Sequence, residues 1–271
     1  MRWRSINEKA VLTCAGVLFA MAPAGTSQAS FSIAAGWDLL ETTTPTTFMG
    51  FEFTGVPLGS FNFGLGPTGR DTGSADTIIR RVSEIDFPDL PRPQTVDIEI
   101  VALSLVSTAP IDIGAGFDFH FITLQQGLAS LGQMIIDFVD ELGGLLSTAV
   151  DLAFDVRIGS IDGPIVFSDI LQLSTSGVPW DHVAPTRAFQ LDGINRNLNG
   201  LDTSADFWPD PFTLAGPNGL FHSVQSATPA PAGLAVLALA ALAASRRRRA
   251  APNVLLRRMG DTGLEPVISR V

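Results

Sequence analysis

The sequence predicts an all-β protein, an antiparallel β-sandwich or jelly-roll-like domain set between an N-terminal signal peptide and a C-terminal membrane helix. Three observations predict it. Apolar and polar residues alternate strictly over several runs, Gly- and Pro-rich clusters separate those runs, and a short stretch that is apolar all round lies near each end.

Residues 1–29 have the three parts of a secretory signal. Arg2, Arg4 and Lys9 supply the charged region and Val11 to Ala22 the apolar run. Ser27-Gln28-Ala29 supplies small residues for signal peptidase, with the cut expected after Ala29. The only cysteine, Cys14, lies inside the apolar run and leaves with it. The exported domain therefore has no disulfide, thiol nucleophile or Cys metal site, and its stability must come from burial.

Residues 30–227 form the β-rich ectodomain. Between Ser30 and Thr228 there are 24 Asp and Glu against 7 Arg and no Lys, a net charge of −17. Such a surface repels phosphate backbones and anionic membranes, which excludes nucleic acid as a partner. The chain is nonetheless 46% hydrophobic, too apolar and too regularly patterned for disorder.

The pattern has period two. Phe51-Glu52-Phe53, Phe61-Asn62-Phe63, Val96-Asp97-Ile98-Glu99-Ile100, Phe117-Asp118-Phe119-His120-Phe121 and the run from Val150 to Ile158 each offer one apolar and one polar face, as half-buried strands do. GVPLGS, GLGPTGRDTGSAD, FPDLPRPQ, STAPIDIGAG, SIDGP and STSGVP are read as turns. LASLGQMIIDFVDELGGLLSTAV fits two readings. Leu128, Leu131, Ile135, Phe138 and Leu142 have near-helical spacing, whereas Gly127, just before the stretch, and Gly132, Gly143 and Gly144 within it disfavour a helix, and Gly143-Gly144 suits a hairpin turn; the hairpin is preferred. After Pro179 turn formers dominate, and loops with a few short strands are expected.

Motifs with chemistry are sparse. The chain has no GxSxG elbow, HExxH pair, P-loop or dinucleotide fingerprint, and no catalytic residues are assigned. His120 is expected on the polar face of a strand, and His182 and His222 in loops. A Ser-His-Asp site would need the fold to bring such distant residues together. The acid pairs Asp97 with Glu99 and Asp151 with Asp155 read first as a solvated outer face, although paired carboxylates also serve glycoside hydrolysis. Asp192, Asn195, Asn197, Asn199 and Asp202 place five side-chain oxygens among glycines, a set that could wrap Ca2+ but is equally ordinary turn chemistry. Trp37, Trp180, Phe207 and Trp208 either stack on sugar rings or plug the edge of the core.

From Ala232 to Ala244 run 13 apolar residues, fewer than the roughly 20 that a bilayer-spanning helix needs, and Arg246, Arg247, Arg248 and Arg249 follow as a cytoplasmic stop. Segment 228–249 resembles the PEP-CTERM sorting signal of Gram-negative exported proteins, with Pro229-Ala230-Pro231 in place of the Pro-Glu-Pro signature and Ala230 departing from its Glu. The resemblance implies an exosortase-like membrane enzyme as partner, a transient or permanent hold at the membrane, and delivery to the cell surface or outside, in association with extracellular polysaccharide. DTIIRRVSEIDFPDLPRPQTVDIEIVALSLVSTAPI also resembles a stretch of PEP-CTERM surface proteins, which implies β structure. Residues 250–271 read as an unstructured tail, translated through neighbouring DNA, or as a cytoplasmic interaction tail. The expectation is a non-enzymatic surface or matrix protein; the alternative is a secreted glycan- or ester-cleaving hydrolase with its residues in loops.

Overall fold

The computed structural model describes residues 31–43, 46–64, 67–87, 93–114, 116–140, 142–189 and 207–229. In chain order the strands are β1 (Phe31–Ile33), β2 (Gly36–Thr42), β3 (Thr46–Phe48), β4 (Phe51–Gly55), β5 (Ser60–Phe61), β6 (Arg70–Asp71), β7 (Thr77–Arg81), β8 (Ile85–Phe87) and β9 (Gln94–Ser107). They continue as β10 (Ile111–Asp112), β11 (Phe117–Asp118), β12 (His120–Leu124), β13 (Ser130–Phe138), β14 (Gly143–Ile158), β15 (Ile165–Asp181), β16 (Trp208–Pro209), β17 (Phe212–Ala215) and β18 (Phe221–Ser226). A 3-10 turn, Pro217–Gly219, joins the last two.

The fold is all-β and antiparallel, as expected, but it is a closed barrel of eight strands and not a sandwich or jelly roll. Hydrogen bonding runs β9–β13–β14–β15–β17–β18–β2–β7 and returns to β9. Towards the other end the membership changes. There the ring is β9–β12–β14–β15–β17–β18–β3–β4, again eight strands. Long strands make both rings possible. β14, 16 residues long, pairs with β13 through Gly144 to Val150 and with β12 through Phe154 to Ile158. β9 serves β7 and β13 along one part of its length, then β4 and β12 near its end. Period-two patterning is common to sandwiches and barrels; only these long-range pairings distinguish them.

Side chains fill the interior, as an eight-stranded barrel allows. Val96, Ile98, Ile100 and Leu105 of β9, Ile122 of β12, and Val150, Leu152, Phe154 and Val156 of β14 are all buried in one cluster. Fully burying each such side chain contributes roughly 1.5–3 kcal/mol. One end is plugged by aromatics. Phe87 meets Phe138 at 4.1 Å, Phe138 meets Trp180 at 4.6 Å, and Trp180 meets Phe207 at 5.3 Å. Of the four aromatics considered for sugar stacking, Trp180 and Phe207 are therefore core residues, the plug reading of the two. Polar residues such as Asp97, Asp151 and Gln172 face outward. The outer faces are mixed, since Leu131, Ile135, Leu145, Ile165 and Ile170 are exposed on β13, β14 and β15. No helix among the described residues is long and apolar enough to cross one.

A second, smaller core lies outside the wall. The segment after β4 folds back over β2, β7 and β9, setting Phe61 and Phe63 against Trp37 at 5.8 and 5.5 Å, over Ile78 and Ala102.

Several local expectations need correction. The hairpin reading of 128–150 is right, but Gly143 and Gly144 are the first residues of β14, not its turn. They are glycines because a Cβ on Gly144 would overlap the Asp137 carbonyl and one on Gly143 that of Trp180. Asp140 shapes the connection, its Oδ1 accepting the Leu142 amide at 2.8 Å and the Gly143 amide at 3.2 Å. STSGVP is not a turn either. It lies within β15 as a bulge, where the register against β14 slips between Leu146 and Thr148 and Gly177 takes φ +66°. In Phe117-Asp118-Phe119-His120-Phe121 the faces are the reverse of those expected. Phe117 and Phe119 are exposed while His120 is buried, because β12 is registered so that Ile122, two residues on, enters the core.

The two rings meet where β2 and β7 give way to β3 and β4, and Asp76 occupies that joint. Its amide donates to Leu40 of β2 at 3.1 Å and its carbonyl accepts Ser104 of β9 at 2.9 Å. A Cβ on Gly55, the last residue of β4, would overlap its carboxylate. Gly55→Ala is expected to cost about 2–4 kcal/mol in urea denaturation, and the cost should shrink by about 1 kcal/mol or more in an Asp76→Ala background. Equal costs in the two backgrounds would show that the overlap is not with Asp76.

Candidate functional site

The barrel wall has an opening beside β15. β15 is bridged to β17 only at Ser174–Ala215, so from Ile165 to Gln172 it has β14 on one side and, among the described residues, no strand on the other. A mouth of about 450 Å³ lies there, lined by Met49, Gly50, Phe154, Phe167, Asp169, Leu171, Asn218 and Leu220. Its floor is built from the core, since Phe154, Leu171 and Leu220 are buried. Phe167 is half-buried, its ring 6.1 Å from that of Phe154. Asp169 is exposed and one carboxylate oxygen accepts the Ile170 amide at 2.8 Å. That bond covers an edge amide that would otherwise be open to pairing with another strand.

A second cavity, of about 340 Å³, lies outside the wall beside β2 and β18. Glu41, Arg187, Asp210 and Gln225 contribute its charged and amide groups, with Glu41 Oε1 accepting from Gln225 Nε2 at 2.6 Å.

The buried ionisable groups lie elsewhere. Asp76 accepts the Thr42 amide, the Thr42 hydroxyl and the Thr77 hydroxyl, each at 2.7 Å. Thr77 Oγ1 lies 3.1 Å from His222 Nε2. Its single proton goes to Asp76, so His222 donates from Nε2 to the hydroxyl, and its Nδ1 has no partner among the described residues. Burial pushes the Asp76 carboxyl up to about 6, against the hydrogen bonds from Thr42 and Thr77, and pushes His222 down to about 4. Acid, hydroxyl and imidazole stand in the order of a catalytic triad. All three are buried, however, and none lines either cavity. Nearer the plugged end Asp38 pairs with Arg81, whose guanidinium lies 5.2 Å from the Phe207 ring centre. Burial raises the Asp38 carboxyl while Arg81 opposes the rise.

The three histidines do not share a site. His120, expected on a polar face, is buried, with Nδ1 donating to the Asp118 carbonyl at 3.0 Å. His222, expected in a loop, is in β18 and faces the interior. His182 does follow the last residue of a strand, 5.0 Å from the Trp180 ring. Asp97 and Glu99 lie on the outer face, engaged by Gln133 at 3.2 Å and Arg80 at 3.6 Å. Asp151 is exposed, but Asp155 is buried, accepting from Ser168 Oγ at 2.6 Å and Arg157 at 3.4 Å. This pair is therefore not one solvated face. The proposed calcium ligands Asp192, Asn195, Asn197, Asn199 and Asp202 lie outside the described residues, as do Ala29, Ala230, Pro231 and Arg246 to Arg249. Among the described residues no group of three or more His, Cys, Asp or Glu side chains is arranged to hold a metal ion.

Neither the mouth nor the Asp76 network was found from sequence. Asp76 reads there as a polar residue closing a turn, and its chief partner Thr42 is 34 residues away. No protein-family model, curated protein or solved structure matches the chain.

Asp76 and His222 have opposite effects on stability against pH. Between about 4 and 6 the folded state keeps a proton on Asp76 that the unfolded chain has released, so this contribution is full below 3.8 and is lost as pH rises through about 6. The contribution of His222 is full above 6.5 and is lost as pH falls through about 4. In the native protein the two slopes offset each other. Asp76→Asn should make stability rise more steeply from pH 4 to 6.5 than in the native protein, and His222→Gln should make it rise less steeply or fall. Each difference is expected at roughly 2–3 kcal/mol across the window, measured by urea denaturation. Parallel profiles for the three proteins would contradict the assignment.

Proposed function

We propose that the chain is an exported, non-enzymatic cell-surface or extracellular-matrix protein. Its C-terminal segment is read by an exosortase-like enzyme, and its barrel associates with extracellular polysaccharide. The observation that carries this reading is how the barrel uses its reactive side chains. His120, His222, Asp76, Asp38 and Asp155 are all buried and bonded to neighbouring parts of the frame, while the open mouth offers an apolar floor with Asp169 and Asn218 at its rim. Groups fixed in that way hold a wall together; an apolar cavity with a few polar groups binds.

The sorting part of the proposal draws support from where the frame ends. Thr228 is tied to Ser74 through its amide at 2.8 Å and its carbonyl at 2.9 Å, so ordered contacts reach the residue before Pro229. A processing enzyme acting just beyond would release an intact barrel.

One observation favours a second reading. Glu41 and Asp210 line the same 340 Å³ cavity, and a pair of carboxylates in one cleft is the first element that glycoside hydrolysis needs. A secreted glycan-cleaving hydrolase would use that cavity and not the mouth.

Two measurements test the proposal. The intact mass of surface-extracted protein should lack everything beyond about Pro231; a mass that retains Arg246 to Arg249 would mean a permanent anchor and no sorting. Incubated with a panel of polysaccharides, the protein should bind without releasing reducing ends. Release of reducing ends that is lost in Glu41→Gln or Asp210→Asn would establish the hydrolase instead.

A further inference from the structure

We propose that the mouth beside β15 binds a pyranose ring carrying a free ammonium group, so that the polysaccharide partner is an amino-sugar polymer with unacetylated amines. The inference rests on the polysaccharide-binding reading and narrows it to one chemical class.

Charge makes the first selection. With 24 acidic residues against 7 Arg between Ser30 and Thr228, the domain repels uronate, sulfate or phosphate polymers and gives no long-range pull on neutral ones. A polycationic glycan is the polysaccharide class that this field attracts.

The mouth makes the second selection. Its volume of about 450 Å³ falls within the range of small-molecule sites and accommodates a sugar ring with part of its neighbour. Phe167, Met49 and Leu220 offer apolar surface to the C–H face of a pyranose. Phe167 is steadied by Phe154, and Leu220 is buried, so little ordering is needed on binding. Asp169 is the one charged residue among those that line the mouth, and the Ile170 amide holds one of its oxygens in place. A carboxylate so placed suits an ammonium group, and the Asn218 carboxamide offers both a donor and an acceptor to ring hydroxyls. A simple alkylammonium would satisfy the floor and Asp169 but make no use of Asn218.

The opening itself follows from topology. Had β17 run on beside β15, its side chains and backbone would have closed the wall from Ile165 to Gln172. The chain instead turns back at Pro217–Gly219, leaving the floor exposed above Leu171.

Isothermal titration of the full chain with a β-1,4-glucosamine hexamer, its fully N-acetylated counterpart, a uronic acid hexamer and hexylammonium tests the proposal. The glucosamine hexamer should bind at one site per chain, more weakly as salt is raised, and at least about tenfold tighter than each of the others. Asp169→Asn should reduce its affinity by about tenfold, the loss expected for one charge-assisted hydrogen bond, and Phe167→Ala should reduce it as well. An unchanged melting temperature for Asp169→Asn, an exposed position, separates lost binding from lost folding. Preference for the N-acetylated or uronic acid hexamer overturns this inference and leaves polysaccharide binding standing. Equal binding of hexylammonium, or undiminished affinity in Asp169→Asn, also overturns it. Failure of every oligosaccharide to bind overturns both this inference and the reading on which it rests.

Discussion

A ring of eight strands can change its members along its length only if the joint is held, and here the Asp76 carboxylate holds it. It bonds the end of β2 through Thr42, lies against the end of β4 at Gly55, and reaches β18 through Thr77 and His222. Its own backbone ties β2 to β9. The strands that must register for both rings to close therefore meet around one side chain. Burying a carboxylate is unfavourable without partners, and three hydrogen bonds are what keep it in place. That is why its neighbours are two threonines and a neutral imidazole and not larger apolar groups.

Closing the barrel decides where function can lie. With the lumen filled from the Phe87–Phe138–Trp180 plug to Phe154, a ligand has no path through it. What remains accessible is the outer surface, acidic with exposed aliphatic side chains on β13, β14 and β15, and the place where the wall is incomplete. The second core outside β2, β7 and β9 also covers strand faces that would otherwise be exposed on the outer wall, leaving the mouth as a site that opens directly onto core residues. The described residues contain no cysteine, and stability comes from burial in two cores and from ring closure, neither of which depends on redox conditions.

The sequence carried the strands better than their arrangement. Val96 to Ile100 and Val150 to Val156 alternate as strands and bury the predicted apolar residues in the main core, although Asp155 on the opposite face is buried as well. Parity was lost at Phe117 to Phe121, where the run is symmetrical in apolar residues and only the pairing with β14 decides that His120 turns inward. His222 does not read as a strand residue because it lies in the interior beside Val224, a polar residue where the pattern requires an apolar one. Closure was not legible at all, since it depends on contacts between residues such as Ser174 and Ala215, or Thr42 and Val224. The mouth depends on the absence of a contact, the failure of β17 to continue along β15, and such an absence leaves no pattern in either segment.

Native-state amide hydrogen exchange tests most directly whether the two rings form one cooperative unit through the Asp76 joint. The account predicts that the amides of Thr42, which donates to the Asp76 carboxylate, and of Ser104, which donates to its carbonyl, exchange only through global unfolding. Their opening free energies should equal those of the β14 core amides at Leu152 and Phe154. Thr42 and Ser104 amides that exchange at a distinctly lower free energy, while β14 stays protected, would show that the joint opens by itself and that Asp76 does not hold the barrel closed.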